Sequence, residues 1–73
     1  MKVSYDSESD AAYIKFLDKK PCGAIEIDEG IVVHVTKENK LVAIEILDAS
    51  QKFNVDELLK FEVEDMRLVS VSS

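Results

Sequence analysis

Seventy-three residues, 47% hydrophobic and 33% charged, describe one folded domain, and a chain this short buries only about 60% of the surface its unfolded form exposes. A single cysteine, Cys22, excludes an intrachain disulfide, and with only one histidine, His34, a four-ligand nitrogen–sulfur zinc site is excluded as well. The net charge of −6 argues against nucleic acid and against an anionic membrane surface, leaving a basic protein partner or none.

The chain alternates with period two, broken by short polar clusters. Met1, Val3 and Tyr5 lead to Ser7-Glu8-Ser9-Asp10, which reads as a four-residue hairpin loop. Strand 11–17 then sets Ala12 opposite Tyr5, Ile14 opposite Val3 and Phe16 opposite Met1, so that every pair on one face is apolar. A one-residue slip would mix the faces, which is how the pattern fixes the register. Residues 18–23 form a loop by their Pro and Gly. Residues 24–36 read as one long strand bent near Gly30, because Ile25, Ile27, Ile31, Val33 and Val35 keep one parity. Its first half is expected beside strand two and its second half beside strand four.

Strand four, 41–48, follows the turn Lys37-Glu38-Asn39-Lys40. Pairing Thr36 with Leu41 sets Val35 opposite Val42, Val33 opposite Ile44 and Ile31 opposite Ile46, with Asn39 supplying a positive φ. Beyond it the period changes. Asn54 reads as a helix N-cap, Glu57 as its capping-box partner, and Phe53 with Leu58 as a hydrophobic staple. The helix runs over about 55–63. The segment 66–71 alternates weakly and is either a fifth strand at the sheet edge or a segment that packs on a partner. The expected fold is α+β, mainly β: a four-stranded antiparallel meander (about 1–6, 11–17, 24–36, 41–48) plus one short helix, in a single domain spanning 1–73.

The reverse face of this sheet is half apolar where an ordinary solvent face is polar. It carries Tyr13, Lys15, Leu17, Val32, His34, Leu41, Ala43, Glu45 and Leu47. One helix shields one face of a sheet, not both. With the helix on the aliphatic face, Tyr13, Leu17, Val32, His34, Leu41, Ala43, Glu45 and Leu47 are the candidate interface of a homo-oligomer; with the helix on the mixed face, the aliphatic face is the one left for a second subunit.

The chemistry-bearing residues give weaker signals. Asp6 to Asp10 opens like a calcium loop, but Ala11 stands where that loop needs Gly and Leu17 where it needs a bidentate Glu. Asp6 and Asp10 are instead expected to bond backbone N–H groups of the turn. His34 faces Ala43 across the strands, without a nucleophile to activate. Cys22 follows Lys19 and Lys20 but lacks the base and oxyanion donors of a cysteine enzyme. Glu45 sits mid-strand and needs a partner if its face is covered, with Tyr13, Lys15 and His34 within reach of that face. Glu26, Asp28 and Glu29, with Glu62, Glu64 and Asp65, make acidic patches suited to a basic protein. No apolar run approaches the ~20 residues of a membrane span, and the N-terminus lacks a signal-peptide core, so the expected location is cytoplasmic.

Two blocks of the sequence, Tyr5-Asp6-Ser7-Glu8-Ser9-Asp10-Ala11-Ala12-Tyr13-Ile14 and Gly30-Ile31-Val32-Val33 followed by Leu41 to Ser50, resemble a family of short microbial proteins. It is the domain-of-unknown-function family 2283. Tyr5, Asp6, Asp10, Tyr13, Ile44 and Glu45 carry the family motif. Asn39, Ala43 and Thr36 stand where the family more often has Gly, Gly and Asp. The resemblance implies a small β-rich domain with a helix and no established activity. Some members are similar to partners of small toxin-like proteins, which implies an antitoxin-like role by association.

The expectation is thus a non-enzymatic, self-associating interaction domain without a cofactor, which takes a basic protein partner. The rivals are a carboxylate-based metal-binding protein or small enzyme using Asp6, Asp10 and Glu45, and a small-molecule binder at a subunit interface.

Overall fold

The structure, a computed structural model, describes residues 1–60. Five antiparallel strands make one sheet: β1 (Lys2–Asp6), β2 (Ala11–Lys15), β3 (Gly23–Asp28), β4 (Ile31–Val35) and β5 (Leu41–Ile46). Two single-turn helices follow, α1 (Ala49–Lys52) and α2 (Val55–Leu58). The strands lie in the order β1-β2-β5-β4-β3.

The first hairpin has the register its aliphatic parity demands, Val3 opposite Ile14 and Tyr5 opposite Ala12. Its four-residue loop closes with Asp10 at φ 53. Asp6 bonds the turn as expected, its carboxylate accepting the Glu8 N–H at 3.0 Å.

The segment 24–36 is not one bent strand but a hairpin, with β3 paired to β4. Gly30, at φ 73, turns the chain and costs nothing sterically there because it has no Cβ. The simple meander is corrected with it: β2 pairs β5, and β3 lies at the far edge against β4 alone. The connection 16–22 therefore crosses the ends of β5 and β4, a span of roughly three inter-strand spacings, or ~14 Å.

In the last hairpin, Val33 faces Ile44, Ile31 faces Ile46 and His34 faces Ala43, as the pattern requires. The expected pairs Val35–Val42 and Thr36–Leu41 do not form. Thr36 N–H bonds the Lys40 carbonyl at 2.9 Å and Asn39 N–H the Thr36 carbonyl at 3.0 Å, so the loop holds residues 37–39 only. Asn39 takes φ 63, the left-handed residue that a three-residue hairpin loop needs. Val35 then faces Leu41, and a bulge at Val42 restores the register one step later. The carbonyl of Val42 accepts both Phe16 N–H (2.7 Å) and Leu17 N–H (3.1 Å), which ends β2 at Lys15 rather than Leu17.

Asn54 caps α2 as expected, though its side chain accepts Asp56 N–H at 3.0 Å and not the N–H of Glu57. Glu57 N–H goes to the Asn54 carbonyl instead, at 3.1 Å. The helix closes at Leu58, and residues 61–63 of the expected 55–63 lie outside the described residues. Phe53 and Leu58 are both half-buried. The expected segment 66–71, together with Glu62, Glu64 and Asp65, lies outside the described residues.

Among the described residues Ala12, Val42, Ala43 and Ala49 are the fully buried apolar side chains, and Val42 is the largest of them. Among the described residues the core is thus a thin seam where β2 and β5 meet, and none of them seals either sheet face.

Candidate functional site

Paired residues of neighbouring strands point to the same side, so the register sorts the side chains into rows. One row of the aliphatic face is Val3–Ile14–Ile44–Val33–Ile25, crossing all five strands. The next is Tyr5–Ala12–Ile46–Ile31–Asp28. Val3, Ile14, Ile44, Val33, Ile46 and Ile31 are half-buried, whereas Ile25 is 53% exposed. The bulge at Val42 brings Leu41 opposite Val35, and so moves it from the mixed face, where alternation alone puts it, to the aliphatic one.

The mixed face gathers Tyr13, Val32, His34, Ala43 and Glu45. Glu45 lies between Tyr13 on β2 and Val32 on β4, and diagonal to His34. Its Oε1 is 3.3 Å from His34 Nε2, and the Tyr13 ring centroid is 5.8 Å from the imidazole at an angle of 51°. The pair has its polar atoms matched, so Glu45 has the partner that a mid-sheet carboxylate needs. Diagonal neighbours in a sheet are within reach of long side chains, whereas reading only directly opposed residues gives His34 the inert Ala43. Leu17 and Leu47 lie just beyond the strand ends, the first half-buried and the second 37% exposed.

A second cluster joins the first hairpin to α1. The Asp10 carboxylate accepts the Tyr5 hydroxyl (2.6 Å), the Ser50 hydroxyl (2.7 Å) and the Ser50 N–H (3.0 Å). The Asp10 carbonyl accepts Ala49 N–H at 2.9 Å. The hydroxyl of Tyr5, more than those of Ser50, holds the Asp10 carboxyl below its usual range, and the same bond pushes the Tyr5 phenol up. Asp10 thus serves α1 rather than its own turn, because it satisfies two of the N–H groups that a helix start leaves open.

The trio Asp6, Asp10 and Glu45 is not brought together. Asp6 holds its turn, Asp10 joins Tyr5 of the aliphatic face, and Glu45 belongs to the other face. Among the described residues no group of three His, Cys, Asp or Glu is placed as metal ligands would be, and no helix is long and apolar enough to cross a membrane. Cys22 is exposed, its N–H bonded to the Val35 carbonyl at 2.8 Å.

Residues 2–50 match the model of the family described as "Protein of unknown function (DUF2283)". The chain is also 39% identical over 54 residues to a protein of Methanosarcina mazei named "Putative hypoxanthine phosphoribosyltransferase". The match takes in 74% of this chain but spans 43% of that relative's length. No solved structure matches. The family's match ends at Ser50, the residue that closes the Asp10 cluster, and it takes in the whole five-stranded sheet. The chain belongs to the DUF2283 family.

Proposed function

We propose that this chain is a non-catalytic protein-interaction domain that self-associates through the aliphatic face of its sheet. The row Val3–Ile14–Ile44–Val33–Ile25 carries this reading: it is apolar across five strands, and each member keeps contact with solvent. A continuous apolar surface of this kind is characteristic of an interaction site. Two such sheets stacked about 10 Å apart would bury it on both copies. A thin core makes that burial the natural source of further stability.

The mixed face supports self-association less well, because its centre is the matched pair His34–Glu45. A basic protein partner fits a different surface, the sheet end carrying Asp28, Glu29 and Asp48, which line one shallow depression with Gln51 and Lys52. A small toxin-like protein is the partner to which the family association points.

The match to the Methanosarcina protein spans 43% of that protein's length, so its named activity does not extend to this chain. A phosphate cradle is typically built from a glycine-rich turn ahead of a helix. The two glycines here, Gly23 and Gly30, open a strand and turn a hairpin. Native mass spectrometry at tens of micromolar tests the reading: a dimer or larger assembly supports it and a clean monomer contradicts it. Co-purification under native salt tests the basic partner.

A further inference from the structure

The net charge of −6 conceals two poles. Because neighbouring strands are antiparallel, the loops alternate between the ends of the sheet. Asp6, Glu8, Asp10, Asp28, Glu29 and Asp48 fall at one end. Lys2, Lys15, Lys19, Lys20, Lys37 and Lys40 fall at the other, where Asp18 and Glu38 are the opposing charges. Asp18 is already engaged, 3.1 Å from Lys15. Among the described residues Lys19, Lys20 and Lys37 have no carboxylate within ion-pair distance.

At this basic end the crossing loop 16–22 runs beside the hairpin loop 37–39, tied to the strands that flank that loop through the Cys22–Val35 and Leu17–Val42 backbone bonds. Between the two loops opens a groove of about 500 Å³, lined by Lys19, Lys20, Cys22, Thr36, Lys37 and Glu38, with Pro21. Thr36 is 8% exposed, and its Oγ1 accepts the N–H groups of Glu38 (3.2 Å) and Lys40 (3.1 Å). Its own hydroxyl proton is left to donate.

We propose that this groove binds a small phosphate-type anion, with the ammonium groups of Lys19, Lys20 and Lys37 and the hydroxyl of Thr36 as donors. Ammonium groups are compact charges with three rotatable donors each, suited to a multiply charged oxyanion. The volume is that of a small-molecule site. Size also separates a small anion from a nucleic acid strand. Screening at physiological salt acts over about 8 Å. A ligand held within the groove therefore lies beyond the reach of the acidic pole, while a strand extending along the molecule runs into it.

Inorganic pyrophosphate titrated into the ¹⁵N-labelled full chain at physiological ionic strength tests the proposal. The expected result is a saturable movement of the amide signals of Lys19, Lys20, Cys22, Lys37 and Glu38, with those of 6–10 and 28–30 unmoved. Saturating pyrophosphate should also slow the reaction of Cys22 with neutral iodoacetamide. A double variant, Lys20→Gln with Lys37→Gln, changes exposed side chains only and should keep the spectrum while weakening binding by about tenfold or more. The proposal is overturned by no saturable movement at millimolar pyrophosphate, by equal binding to the variant, or by tighter binding of single-stranded oligothymidylate than of pyrophosphate.

Discussion

The carboxylate of Asp10 accepts both the N–H and the hydroxyl of Ser50, forty residues further along the chain. This contact fixes the start of α1 against the first hairpin, with Ala49 N–H on the Asp10 carbonyl completing it. Tyr5 supports the same carboxylate from β1. The family motif residues Tyr5 and Asp10 thereby acquire a structural role: they hold the exit from the sheet.

That cluster gives stability a definite dependence on pH. Asp10 titrates below its usual value of 3.8 in the folded chain, so its contribution is present above the unfolded value and is lost as pH falls through the folded one. Tyr5 titrates above 10.0, so its contribution is present below the unfolded value and is lost as pH rises through the folded one. In thermal melts, Asp10→Asn should show a shallower fall in Tm than the parent as pH drops from about 5 to about 2. Tyr5→Phe should flatten the alkaline limb. Parallel curves for parent and variant would remove the cluster from the account.

Gly30 is buried, has φ 73 and gives its carbonyl to Leu47 N–H at 2.7 Å. A Cβ there would lie 2.8 Å from Lys52 Nζ and 3.4 Å from the Leu47 carbonyl oxygen. The lysine end can swing away, although it now donates to that same carbonyl. The left-handed backbone cannot be relieved so easily. Gly30→Ala should cost about 1–2 kcal/mol in urea unfolding at unchanged m-value. A loss of less than a few tenths would mean the turn tolerates a side chain.

Asn39 also holds a left-handed conformation, at φ 63, but in an exposed loop. Asn39→Gly should be neutral or stabilising by under about 1 kcal/mol, and Asn39→Val destabilising by about 1–2 kcal/mol, since a β-branched side chain resists positive φ. The same denaturant titration measures both, and a Val variant as stable as the Gly variant would contradict the three-residue loop.

Side-chain parity made much of this fold readable, and it failed for two reasons, compensating bulges and long-range pairing. In the first hairpin a one-residue slip would have put Val3 and Ile14 on opposite faces, so the register had one solution. Around Gly30 parity was blind. A tight turn pairing Asp28 with Ile31 followed by a bulge pairs Ile25 with Val33, odd with odd. A straight strand through 25, 27, 31, 33 and 35 gives the same alternation. At Val42 a loop one residue shorter and a bulge one residue longer cancel, leaving His34 and Ala43 paired as the pattern requires. The pairing of β2 with β5 is a long-range choice that local alternation does not encode. The lysine pole was hidden for the same reason, because residues 2, 15, 19, 20, 37 and 40 meet only when antiparallel strands stack their loops at one end. His34 with Glu45 was legible only through the shared face, since their contact is diagonal.

The most direct measurement of the self-association account is sedimentation velocity on the parent and on Ile25→Lys across a tenfold range of concentration. Ile25 is 53% exposed on the edge strand, so lysine there leaves the folded protomer intact while setting a charge in the apolar row. The account predicts a dimer or larger species for the parent and a monomer with an unchanged circular dichroism spectrum for the variant. A parent that sediments as a monomer throughout, or a variant that assembles as the parent does, would contradict it.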